Sequence, residues 1–158
     1  MNKTLNDLVR GAEGRFLSES EKGAFRAYAS NMGSRLDCMR RVESAEADVV
    51  EATFSVLLSK HEAHLTAQEC QTEIRVHAAQ ILRFAAQAYV REDLSFFQEA
   101  CSKWFSDLLC ALYPPVMIQD FIDALRSKAE ERLDGADYRA LRKYLDDYAE
   151  KVQKWQES

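Results

Sequence analysis

The sequence predicts an all-α fold, and three observations lead there. Glycine and proline are scarce, five and two in 158 residues, which leaves few tight turns and favours long regular elements. Apolar residues recur at intervals of three and four through most of the chain, the spacing of one helical face. Between these stretches stand residues that start or stop helices: Ser18 with Glu21, Thr66 with Glu69, Asp93, Tyr113-Pro114-Pro115 and Asp134-Gly135.

Taken in order, Thr4 caps a short helix with Leu5, Leu8, Val9 and Ala12 on one side, loosened at its end by Gly11 and Gly14. Ser18 and Glu21 have capping-box spacing and open a second helix from about Glu19 to Ser30. Asn31–Ser34 reads as a break. A long helix follows from about Ser34 to Lys60, with Cys38, Val42, Ala45, Val49, Ala52 and Val56 as its buried stripe and Phe54, Leu57 and Leu58 widening it. His61–Leu65 reads as a polar loop, and Thr66 with Glu69 as the capping box of the central helix.

That central helix, Glu73–Arg91, carries Ile74, Ala78, Ile81, Leu82, Ala85 and Tyr89 on one face, interrupted by His77. Asp93 caps the next helix, whose face is Phe97, Cys101, Trp104, Phe105, Leu108 and Leu112. The Pro114-Pro115 pair ends it, because proline lacks an N–H and restricts the residue before it. Ile118, Phe121, Ile122, Leu125 and Ala129 face inward on a helix from about Val116 to Leu133. The last helix carries Tyr138, Leu141, Leu145, Tyr148, Val152 and Trp155, a seam that packs against another helix.

The chain is long enough to bury a substantial core as a single domain, 1–158. Its helices divide into an N-terminal hairpin, 1–30, and a core, 34–155. That is the layout of a globin-like domain with an N-terminal extension, although periodicity equally permits a bundle. The hairpin is apolar enough to pack on a partner subunit, through Leu5, Leu8, Val9, Phe16, Phe25 and Tyr28.

The net charge of −5 argues against non-specific nucleic-acid binding, which rests on cationic patches. No run reaches the roughly 18 consecutive apolar residues of a membrane span. The four cysteines, Cys38, Cys70, Cys101 and Cys110, form no CxxC pair and follow no signal peptide, which suits free thiols in a cytoplasmic protein. Nothing matches a phosphate loop, a zinc-protease HExxH or a nucleophile elbow, so no enzyme is expected. His61, Glu62 and His64 lack the second ligand pair of a metal site and read as surface. His77 reads either as a core-edge histidine supported by Glu73, or as a haem ligand or a polar group against a tetrapyrrole.

Three stretches resemble the phycobiliproteins, the globin-like light-harvesting family. Ala12-Glu13-Gly14-Arg15-Phe16-Leu17-Ser18 is similar to the segment that joins that family's two extra N-terminal helices. Leu82-Arg83 is similar to the end of its YYLR motif on the pigment helix. Asp134-Gly135-Ala136 and Tyr144-Leu145-Asp146-Asp147-Tyr148 are similar to its C-terminal GDAA and SYLDY pattern. Tyr113-Pro114-Pro115 falls at the family's proline-marked turn.

The resemblance also implies where this chain departs from the light-harvesting members. Counting back from Leu82-Arg83, Ile74 stands at the family's attachment cysteine, Val76 at its arginine and His77 at the aspartate that binds the pyrrole nitrogens. Arg75 lies one residue from the arginine position, Cys70 lies one turn upstream, and Gly11 replaces an acidic pairing residue. This combination resembles the bilin-biosynthesis-associated globins of bacteria without phycobilisomes. It implies a globin fold, no covalent cofactor, and a non-covalent bilin at most, met by Ile74, Arg75, His77, Ala78, Ile81 and Arg83. It further implies a homodimer through the N-terminal helices, or partnership with bilin-making enzymes. A haem or gas sensor using His77, or a ligand-free assembly module, are the alternatives.

Overall fold

A computed structural model describes the backbone of residues 3–102, 109 and 111–156, and the side chains of 5–101, 109 and 111–154. The chain forms α1 (Lys3–Gly11), α2 (Glu19–Ser30), α3 (Met32–His61), a 3-10 turn (Glu62–His64), α4 (Gln68–Arg91), α5 (Leu94–Ser102), α6 (Pro115–Arg132) and α7 (Gly135–Gln156). Among the described residues there is no strand. The expected contributions of the Thr4 side chain, Trp104, Phe105, Leu108, Cys110 and Trp155 lie outside the described residues.

Helix ends follow local chemistry where the capping groups are free to act. Ser18 caps α2 as expected: Glu21 donates its N–H to Ser18 Oγ at 3.4 Å, and the Glu21 carboxylate accepts from Ser18 N–H at 2.7 Å. Arg15 adds two bonds to the same carboxylate, 2.9 and 2.7 Å. Together with Ser18 it holds Glu21 well below the usual carboxylate pKa range. Gly14 enters this joint at φ +82°, a conformation that glycine adopts at little cost. Asp93 caps α5 by accepting from Phe96 N–H at 3.1 Å, and Asp134 accepts from Ala136 N–H at 2.8 Å as α7 starts. Pro115 opens α6 at a position where no intrahelical N–H is needed.

Two expected boundaries are corrected. The break at Asn31–Ser34 shrinks to Asn31 alone, whose near-helical backbone both ends α2 and starts α3. The Thr66–Glu69 box does not form. α4 starts at Gln68 with Ala67 as its capping residue, so Glu69 falls at the second helical position, one short of where a box carboxylate reaches back. Leu65 accounts for the shift. It is fully buried, which draws the expected polar loop down onto the core.

α3 packs along α4 and α6, α7 closes on α4, α5 and α6, and α2 packs on α3. One apolar cluster runs through α3 to α7. It holds Val49, Leu57, Leu65, Ile81, Leu82, Phe97, Phe121, Leu141 and Tyr144 with at most 1% of their surface exposed. Phe97 meets Tyr144 and Tyr148 edge-on, at centroid distances of 5.6 and 6.3 Å, the geometry that aromatic quadrupoles favour. Of the expected inward residues, Ala45, Ala52 and Val56 are only half-buried, and Leu112 is 50% exposed. The helical stretch bearing Leu112 ends at the proline turn, and Tyr113 takes the buried place beside it.

The hairpin sits outside this cluster. Leu5 and Ala12 are buried apart from it, and α2 buries no residue. Truncating Phe97 to Ala should therefore cost about 3–5 kcal/mol, the range for a buried aromatic. Phe16→Ala, at a side chain 97% exposed, should leave chain stability within about 0.5 kcal/mol. Urea unfolding of the two variants checks this contrast.

Candidate functional site

α4 presents two chemically distinct faces. The inward face is closed: Ile74, Ala78 and Ile81 have at most 1% of their surface exposed and pack in the core. His77 lies at the margin of that face, 6% exposed. Burial lowers its pKa and Glu73, one turn earlier, opposes the shift, so burial prevails and the imidazole is neutral at pH 7. Tyr113 reaches α4 beside it and donates to Glu73 Oε2 at 3.3 Å. Burial and that carboxylate push the Tyr113 hydroxyl up to about 12.

The outward face forms a groove with α3, and the two site arginines lie there. Arg75 donates from Nε to Glu51 Oε1 at 2.6 Å and from Nη2 to Oε2 at 3.2 Å. Its guanidinium carbon lies 3.5 Å from the Phe54 ring centroid, a cation–π stack. Arg83 grips Glu46 through two bonds of 2.6 Å. The arginines are eight residues apart on one helix, so their Cα atoms are separated by about 12 Å along its axis. Two adjoining clefts follow the groove: one of about 320 Å³ between the pairs, and one of about 160 Å³ beyond the Arg83–Glu46 pair. Met39, Val42 and Ala86 line the smaller, Val50, Val76 and Ala79 the larger, and Glu46 and Arg83 line both.

The six site residues expected on α4 therefore do not converge. Ile74, Ala78 and Ile81 face the core, His77 lies at its edge beside the Glu73–Tyr113 contact, and Arg75 with Arg83 lines the groove. Sequence reasoning missed the partners of both arginines, Glu51 and Glu46. It also treated Tyr113 only as a helix stop. The signal for the first was available in part, since Glu46 and Glu51 flank the buried Val49 and Val50 on α3.

The remaining histidines stand elsewhere. His61, expected in a loop, ends α3 and meets Asp120 of α6 at 2.8 Å, while Lys60 donates to the other oxygen of that carboxylate at 2.5 Å. The His61 and His64 rings are 6.5 Å apart. Among the described residues no three His, Cys, Asp or Glu side chains form a group that could hold a metal ion. None of the described helices is long and apolar enough to cross a membrane.

The profile of a known family, described as phycobilisome protein, matches residues 10–152. The chain belongs to the phycobilisome protein family. Comparison with curated proteins gave no match. The family has a globin-like all-α fold and its phycobiliproteins bind bilins, so this family member is a phycobiliprotein-like, bilin-related chain. The match takes in α2 to α6 whole, the end of α1 and most of α7.

The depressed pKa of His77 has a consequence for stability. Below about pH 6.5, the ordinary histidine value, the unfolded chain takes up a proton that the folded chain refuses. Stability then falls as pH drops through that value. The carboxylates Asp93, Asp120 and Asp137, whose pKa values lie below the ordinary range, keep their stabilising charge until more acid conditions. Melting curves between pH 7.5 and 5.5 should therefore show a smaller decline in His77→Gln than in the parent. An equal decline would place the acid sensitivity elsewhere.

Proposed function

We propose that this chain is a non-catalytic, non-light-harvesting family member of bilin metabolism, working in the cytoplasm. It holds a linear tetrapyrrole reversibly or serves as protein partner to bilin-making enzymes, in the manner of the bilin-biosynthesis-associated globins. The observation that carries the reading is Ile74. The residue at the attachment-cysteine position has no thiol and is 1% exposed in the core, so no thioether forms there and no pigment edge reaches it without repacking. What supports a loosely held ligand is the groove on the opposite face. Its apolar floor and paired guanidiniums match a flat molecule carrying carboxylates. Adding biliverdin to the pure protein should shift its absorption band and release binding heat. Unchanged spectra and no heat would remove the pigment version and leave the partner version standing.

Self-association through the hairpin belongs to the same proposal. Val9 is 48% and Phe16 97% exposed, with Leu8, Phe25 and Tyr28 half-buried around them. Leu5, also expected at the interface, is buried within the chain at 4% exposure and belongs to the hairpin's own packing. Phe16→Asp should weaken a dimer by about tenfold or more, because exposed aromatics at an interface carry much of its energy. Sedimentation across a concentration series measures this, with the melting temperature as a control for folding. A ligand-free assembly module is the second reading. The side chains of Ile74, Ala78 and Ile81, which fill the face where a pigment would lie, favour it. It predicts the dimer with no response to biliverdin.

A further inference from the structure

We propose that the Arg35–Glu92 ion pair is a latch that docks the N-terminal hairpin, so that the state of the last turn of α4 governs whether the hairpin stays down. Apolar burial does little to hold the hairpin, because α2 buries no side chain and only Asn31 separates it from α3. What crosses the boundary is Arg35, on the first turn of α3 and 2% exposed. Its Nη2 donates to the Tyr28 carbonyl at 2.8 Å, and its guanidinium lies over the Tyr28 ring, 4.3 Å from the centroid. The same guanidinium pairs through Nη1 with the Glu92 carboxylate, just past the end of α4.

Glu92 stands in a conformation that glutamate seldom adopts. Its φ is +51°, and it is the one non-glycine residue with positive φ among the described residues. The turn is a Schellman closure: Glu92 N–H donates to Tyr89 O at 3.1 Å and Asp93 N–H to Ala88 O at 3.0 Å. Glycine is the usual occupant of that left-handed place. Here the side chain is the reason for the exception, since glycine would close the helix more easily and leave Arg35 without this carboxylate. The latch therefore joins α2, α3 and the end of α4 at one buried guanidinium.

Amide hydrogen exchange on the full chain tests this, comparing the parent with Glu92→Gly and Glu92→Gln. In Glu92→Gly the backbone relaxes while the carboxylate is lost. Hairpin amides over residues 5–12 and 22–31 should exchange about tenfold faster or more, while core amides of α6 stay as protected as in the parent or more so. Glu92→Gln keeps the shape without the charge and should fall between the two. Hairpin exchange unchanged in both variants would overturn the latch. Equal acceleration of hairpin and α6 would also overturn it, because the pair would then only support the whole fold.

Discussion

One helix fixes where everything else goes. α3 runs 30 residues, about 45 Å at the rise of an α-helix, and each element that packs on it is tied to it by a polar bridge at its own level. Arg35 holds α2 and the end of α4. Arg41 grips Asp137 of α7 through two bonds of 2.7 Å. Glu46 and Glu51 take Arg83 and Arg75 of α4, and Lys60 with His61 takes Asp120 of α6. The buried stripe between these bridges supplies the energy, since apolar burial is non-directional and large. The bridges supply register: a helix sliding by one turn would keep its apolar contacts and lose its charged partners.

That division of labour shapes what α4 can offer a ligand. A helix lying between α3 and α7 cannot spare its inward face, and Ile74, Ala78 and Ile81 are consumed by the core. Polar groups that bind a flat carboxylate ligand must then stand on the flank, where Arg75 and Arg83 are. Both guanidiniums already hold glutamates, so an incoming carboxylate must compete with a bidentate partner. Such competition yields weak, reversible binding, because the gain from a new pair is offset by the loss of an old one of similar strength. In a covalent pigment carrier, by contrast, a thioether makes the competition irrelevant.

How much of this was legible in the sequence depended on how local the cause was. The Ser18–Glu21 box formed as expected because both partners and the backbone groups they satisfy lie within one turn on an exposed surface. The inward faces of α6 and α7 were legible because a single 3.6 period dominates them. The Thr66–Glu69 box failed although its spacing was right, since burial of Leu65 moved the start of the helix by a residue. A hydrogen bond of about 1 kcal/mol does not outweigh a leucine buried at about 1.5–3 kcal/mol. The partners of Arg75 and Arg83 were illegible for a different reason: each lies 24 or more residues away, and periodicity names a face without naming what crosses it. The family resemblance assigned Ile74 and His77 to one helix but had no means of dividing that helix into a closed face and an open flank.

The charge that Arg35 needs explains why Glu92 stands where glycine is usual. A residue held left-handed without being glycine carries strain of roughly 1–3 kcal/mol. Arg35 is 2% exposed, so loss of its charged partner would leave a buried guanidinium among neutral groups. The Tyr28 carbonyl and ring satisfy part of the Arg35 side chain but supply no formal negative charge. The sequence thus keeps a carboxylate beside Arg35 at the expense of the easier turn. Replacing Arg35 itself by an apolar residue would remove the cost of burying its charge, though not the strain at Glu92, and pack the boundary between hairpin and core with side chains alone. A chain that needed only a stable fold would gain from that exchange. Retaining a buried charge at a boundary where apolar contact is thin keeps the hairpin's docking dependent on a carboxylate just past the end of α4.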